Sequence, residues 1–163
     1  MKFAADRMLG KLAKWLRILG YDTLYSRTLS DGRFLELANE DRILLSRNTR
    51  IVGKMAPDRL IFVEGNDPKI QLEGLVRLLD LKPNPDKFFS RCTVCNGLIE
   101  PVEPQDVVGK VPDHIWTRHN RFSKCKSCGK IYWPGSHTER SRREIRRLLN
   151  CYSERIPRSK LRG

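Results

Sequence analysis

The sequence predicts an α/β fold: a small domain on a parallel sheet, then a zinc ribbon, then a basic C-terminal helix. Short aliphatic runs alternate with amphipathic helical repeats through residue 81, the order expected of strands and crossover helices in a parallel sheet. Two Cys-x-x-Cys pairs stand in the second half, and an arginine-rich repeat follows them. The corresponding segments are residues 1–84, residues 85–137 and residues 138–163, the first and second joined by the proline-containing stretch "KPNPDK".

The first strand is the apolar run Phe3 to Ala5, and a helical pattern follows Asp6 at once. Its apolar positions, Met8, Leu9, Leu12, Trp15, Leu16 and Leu19, form one stripe at helical spacing, and Gly20 ends it. Arg7, Lys11, Lys14 and Arg17 fall on a different face. "YDTLYS" reads as a second strand, and "SDGRFLELANED" as a helix starting near Ser30 or Asp31. "RILLS" carries the consecutive aliphatics of a strand buried on both faces, and "LIFVEG" repeats the pattern. In "NDPKIQLEGLVRLLDL", Asp67 is placed to cap a helix, Pro68 suits its first position, and Ile70, Leu72, Leu75, Val76, Leu78 and Leu79 supply a core face.

The chain has 163 residues and a net charge of +13, of which the last 26 residues carry +6. A surplus of this size points to a polyanionic partner, most commonly nucleic acid. No run approaches the ~20 apolar residues of a membrane span, and the N-terminus lacks a signal-peptide pattern. Cysteines arranged as Cys-x-x-Cys pairs suit metal binding in a reducing compartment, so a cytoplasmic location is expected.

In parallel sheets, sites form beyond the carboxyl ends of the strands. Asp6, Asp31, Asn48, Glu64 and Asp67 all fall there, whereas Asp22 sits at the opposite end. Crowded carboxylates repel one another unless they hold a hard cation, and Mg²⁺ or Mn²⁺ held this way activates water for phosphodiester hydrolysis. Asp6 has two readings here, a helix N-cap and a metal ligand; Asp31 and Asp67 are also good caps.

Cys92, Cys95, Cys125 and Cys128 form two knuckles separated by 29 residues, a four-thiolate set for structural Zn²⁺. Asn96-Gly97 and Gly129 supply the turns after the knuckles, "GLIEPVE" and "KIYW" the strands, and the long spacer an inserted loop. Cys151 is left over as a free thiol. In "SHTERSRREIRRLLN", Ile145, Leu148 and Leu149 make a narrow apolar stripe, while Arg140, Arg142, Arg143, Arg146 and Arg147 suit phosphate contact. Tyr132, Trp133 and His137 offer stacking on unpaired bases, although an aromatic in a ribbon strand more often belongs to the core.

The segments "FAADRMLGKLAKWLRILGYDT", "RILLSRN", "QLEGL", "RCTVCNGLIEP" and "CKSCGKIYWPGSH" resemble the Mut7-C ribonuclease family, PIN-like domains with a C-terminal zinc ribbon. The resemblance implies a metal-dependent endoribonuclease. Asp6 and Asp31 match two acids of the PIN-like layout. The third is expected in a Thr-x-Asp context, where this chain has Ser46-Arg47-Asn48. It implies Asp6 and Asp31 as ligands of Mg²⁺ or Mn²⁺, Asn48 as a weaker third and Asp67 as a fourth. RNA contacts are expected from Arg7, Lys11, Lys14, Arg17, Arg47 and the arginines of the last helix. The alternative is a non-catalytic RNA-binding protein with a degenerate site, and a further reading has the ribbon docking a protein partner such as a ribosomal component.

Overall fold

The computed structural model describes the backbone of residues 1–155 and the side chains of residues 1–148; Leu149 and Cys151 lie outside the described side chains. Four strands, β1 (Lys2–Ala5), β2 (Asp22–Tyr25), β3 (Arg42–Ser46) and β4 (Leu60–Phe62), form a sheet in the order β2-β1-β3-β4, and every pairing is parallel. Ala4 pairs with Leu44, and Leu44 with Leu60; these three share a core cluster with Phe34 and Ala38 on one face. Alternation along the strands turns Phe3, Ala5 and Leu45 toward the other face. The helices are α1 (Gly10–Ile18), α2 (Asp31–Glu36) and α3 (Pro68–Leu78), with α1 and α3 packed on each other.

Local signals explain the helix ends. Gly20, at φ +89°, closes α1 in a Schellman motif: its N–H donates to Arg17 O, and Tyr21 N donates to Leu16 O. Ser30 Oγ caps α2 by accepting from Arg33 N, and Asp67 Oδ1 caps α3 by accepting from Lys69 N at 2.8 Å. Three expectations need correction. The first helix starts at Gly10, not directly after Asp6, because residues 6–9 form a turn in which Leu9 N donates to Asp6 O; Met8 is consequently exposed. Ile70 and Leu78 are exposed, so the buried face of α3 is Leu72, Leu75 and Val76 with Gln71. The "KPNPDK" stretch is not an open linker, since Lys87 packs on Gly20, where a Cβ would come within 2.5 Å of its carbonyl oxygen.

The chain divides into two compact units, Met1–Glu100 with Cys125–Lys130, and Pro101–Lys124 with Ile131–Gly163. The division does not follow the segment boundary expected at residue 84. Hydrogen bonds to the first knuckle are the reason. The buried Arg17 guanidinium donates to Thr23 O, Thr93 O and Val94 O. Asn96 accepts from Thr23 N through Oδ1 and donates to Asp22 Oδ1 through Nδ2, both within 3.0 Å. Desolvation alone would raise the Asp22 pKa, but hydrogen bonds from Arg42 and Asn96, with the charges of Arg42 and Arg91, hold it below the ordinary value. In the second unit, α4 (Asp113–Arg118) fills the spacer expected as a plain loop, and Val107, Val111 and Phe122 make a small core to which Trp133 adds. Strands β5 (Ile99–Val102), β6 (Phe122–Cys125) and β7 (Ile131–Tyr132) form the second sheet, and α5 (Ser136–Arg155) carries the arginines.

Contrary to expectation, Arg17 is not available for RNA contact, being 4% exposed and committed to three carbonyls. Arg17→Ala leaves those acceptors without their donor and is expected to cost about 2–4 kcal/mol. Urea denaturation measures it, with Arg17→Lys restoring only a part because an ammonium lacks the guanidinium fork.

Candidate functional site

Asp6, Asp31 and Asn48 converge. With Arg7, Met8, Ser26, Leu29, Phe34 and Ile51 they line one small pocket at the carboxyl edge of the parallel sheet. The turn after β1 supplies Asp6, the head of α2 supplies Asp31, and the residues after β3 supply Asn48. Asp6 is buried, and three donors hold its carboxylate. Met8 N donates to Oδ1 at 2.8 Å, and Ser46 Oγ and Arg47 N donate to Oδ2 at 2.5 and 2.7 Å. The N-cap reading of Asp6 does not hold, because Leu9 occupies the N-cap of α1 with no side-chain cap. Charge-assisted bonds of this kind are short and fix orientation. Oδ1 takes one bond, which leaves a lone pair for a ligand.

Asn48 behaves differently from a ligand. Its Nδ2 donates to Asp31 Oδ2 at 2.9 Å, and its Oδ1 accepts from Arg50 N at 3.0 Å. The amide thus restrains Asp31 and turns its own oxygen into a local turn. Asp67 caps α3 and does not line the pocket, so its expected place as a fourth ligand is not where the fold puts it. The remaining donor set is two carboxylates. That suits Mg²⁺, which is typically held by one or two carboxylates while waters and substrate phosphate complete its shell.

Beside the pocket runs a basic groove. Arg7, Lys11, Lys14, Arg27 and Arg47 line it together with Tyr25, Asn66 and Gln71, and no carboxylate is among its lining residues. Arg7 and Met8 belong to both pocket and groove. The Tyr25 ring lies against Gly10, where a Cβ would come within 2.7 Å of it.

The four cysteines cluster as expected. Their sulfur atoms all lie within 4.8 Å of one another, with Cys95 to Cys125 at 3.4 Å and Cys92 to Cys128 at 3.6 Å. A tetrahedral ion with metal–sulfur bonds of ~2.3 Å puts its sulfurs about 3.8 Å apart, so the set fits a metal such as zinc. The knuckles are built alike: Asn96 N donates to Cys92 O and Gly129 N to Cys125 O, and Asn96 and Gly129 both have positive φ. Gly97 is required because a Cβ there would meet Ser127 Oγ at 2.4 Å. Val94 N and Cys95 N point at Cys92 Sγ. Desolvation and the neighbouring thiols push the Cys95 thiol up. Desolvation also acts on Cys125, but the amides of Cys128 and Ser127, with its thiol neighbours, hold its pKa down. Only a cation lets four such groups ionise together.

A family model described as the Mut7-C RNAse domain matches residues 1–145. The chain belongs to that family. The match takes in the acid pocket, the basic groove and all four cysteines of this Mut7-C chain. Searches of curated proteins and of solved structures each return no match. No helix among the described residues is long and apolar enough to cross a membrane.

Some residues of the site carry no signal in the sequence. Ser46 is an ordinary strand-end serine by pattern, yet its hydroxyl links Asp6 to Asn48 N. Arg27, Tyr25, Asn66 and Gln71 carry no periodic signal and meet the groove only through the fold. The exposed Arg140, Arg142, Arg143, Arg146 and Arg147 lie on α5, with Arg147 3.6 Å from Glu144, and Ile145 is buried as expected. His137 is exposed, whereas Trp133 belongs to the small core, which favours the core reading for that ring.

The Mut7-C chain is expected to purify with about one thiolate-bound metal ion, the capacity of a four-cysteine site. Cobalt exchange should give the thiolate charge-transfer and tetrahedral d–d absorption bands. Cys92→Ser should abolish both bands and lower the melting temperature, whereas Cys151→Ser should leave them unchanged.

Proposed function

We propose that the protein is an endoribonuclease dependent on Mg²⁺ or Mn²⁺, with the Asp6–Asp31 pocket as its centre and the four-cysteine site holding a structural zinc. The observation that carries this is the meeting of two carboxylates in one pocket at the carboxyl edge of a parallel sheet, in a Mut7-C chain. When bound, the cation supplies Lewis acidity toward a phosphodiester oxygen and acidifies a water molecule. Asp6 would hold it through a carboxylate already oriented by Ser46 and Arg47, and Asp31 from the head of α2. Asn48 keeps Asp31 in place through its amide and adds no charge. Arg7, at the pocket mouth, draws the substrate phosphate, and the arginines of α5 add sequence-independent affinity for RNA. The thiolates of a closed four-cysteine site leave no position for substrate, which supports the structural role.

A second reading has one observation in its favour. The Asn48 amide occupies Asp31 Oδ2, as a site that binds RNA without cutting it could afford.

Asn48→Asp separates the two. Without a divalent metal it replaces a hydrogen bond by a like-charge contact, and stability should fall by about 1 kcal/mol. Mn²⁺ should restore the melting temperature by mass action and raise the rate of RNA hydrolysis above wild type. Adding both Asp6→Asn and Asp31→Asn, which leaves a single carboxylate in the pocket, should remove both effects. Cleavage that persists in that triple variant would exclude this pocket as the centre. A variant indifferent to Mn²⁺ would favour the binding protein.

A further inference from the structure

We propose that the groove lined by Arg7, Lys11, Lys14, Arg27 and Arg47 seats the sugar–phosphate backbone of a single RNA strand, and that Arg7 positions that strand over the acid pocket. The inference rests on the nuclease reading for its second clause alone.

The groove collects cations from separate parts of the chain. Arg7 precedes α1, Lys11 and Lys14 lie on it, Arg27 follows β2, and Arg47 follows β3. Five cations with no acid among them repel one another, and a polyanion relieves that repulsion. The adjoining pocket has the reverse character, with two carboxylates and Arg7 as its one cation. Phosphates are therefore favoured in the groove and repelled from the pocket until a cation is present there. Arg7 is the charged residue common to both linings, so a strand lying in the groove meets the pocket at Arg7.

The aromatic and apolar surface favours a single strand over a duplex. Met8 is 55% exposed and belongs to the linings of both groove and pocket, an apolar side chain more than half open to solvent. Tyr25 is half-buried beside it, its hydroxyl donating to Arg7 O at 3.3 Å and accepting from Arg27 Nε at 3.4 Å. The phenol thereby ties together two of the arginines that line the groove. Unpaired bases can cover such a surface, whereas the bases of a duplex are stacked on one another and present mainly phosphate. Asn66 and Gln71 also line the groove, the buried Gln71 amide being held by Gly65 O at 2.8 Å.

The test uses the full chain and a fluorescein-labelled twelve-nucleotide oligouridine, read by anisotropy in buffer without Mg²⁺ or Mn²⁺. Arg27→Gln and Lys14→Gln, both at exposed positions, should each weaken binding about 3- to 10-fold. Each should also reduce the slope of log affinity against log salt by about 0.7, the increment for one single-strand phosphate contact. The same strand annealed to its complement should bind more weakly. Arg7→Gln should lower the single-turnover cleavage rate at saturating RNA by a larger factor than it lowers affinity. Unchanged affinity and slope in Arg27→Gln and Lys14→Gln would overturn the groove assignment, and so would tighter binding of the duplex. Equal competition by polyglutamate of matched charge would replace RNA by an acidic protein surface. Binding lost in these variants by a wild type that never cleaves RNA with Mn²⁺ would uphold the groove and remove the nuclease reading. Cleavage by wild type with an affinity indifferent to groove charge would do the opposite.

Discussion

The buried carboxylate of Asp6 is the constraint on which the candidate site depends. It stands where β1 leaves the sheet, and it accepts from Ser46 and Arg47 at the end of the neighbouring β3 and from Met8 in its own turn. A buried carboxylate is costly unless hydrogen-bonded, and three donors offset that cost while fixing its orientation. The bonds also set the geometry around it. They delay α1 until Gly10, which leaves Met8 and Arg7 at the surface between pocket and groove. They hold Ser46, whose hydroxyl then accepts from Asn48 N and places the amide that reaches Asp31. One charge thus organises the ends of two strands and the head of a helix.

A second network ties the four-cysteine cluster to the same sheet. Arg17 leaves α1 to satisfy carbonyls of β2 and of the first knuckle, and Asn96 of that knuckle bridges Thr23 and Asp22. Asp22 in turn is held by Arg42 of β3 at 2.7 Å. Both knuckles consequently belong to the α/β unit, and the 29-residue spacer between them contributes to a unit with its own small core. The β2 strand links the two ends of this unit: its first residues meet the knuckle, and its last, Tyr25, lines the basic groove. A metal that stabilises the knuckles therefore stabilises the strand on which one wall of the groove depends.

Much of this was legible in the residue pattern. The parallel sheet follows from consecutive aliphatics in "RILLS" and from helical stripes between strands, because burial on both faces leaves no alternation to read. The cysteine cluster follows from spacing, since two thiolates three residues apart share one knuckle. Asp6, Asp31 and Asn48 meet because parallel strands deliver their following residues to one edge. What escaped the pattern depends on side-chain direction. Arg17 has the spacing of a basic surface residue, yet it is buried because three carbonyls need a donor. Asp67 has the position of a ligand and the chemistry of a cap, and local hydrogen bonding decides for the cap. Ile70 and Leu78 have the hydropathy of core residues and lie exposed on α3, a difference set by how that helix is rotated on α1.

In the proposed centre, Asp6 and Asp31 form one site for a hard divalent cation. Amide resonances of the zinc-loaded full chain, recorded during titration with substoichiometric Mn²⁺, test it most directly, because the paramagnetic ion broadens its nearest neighbours first. Signals from residues 6–8, 31–32 and 46–48 should be lost early, with no such loss in Asp31→Asn. Broadening that begins elsewhere, or that is unaffected by Asp31→Asn, would contradict it.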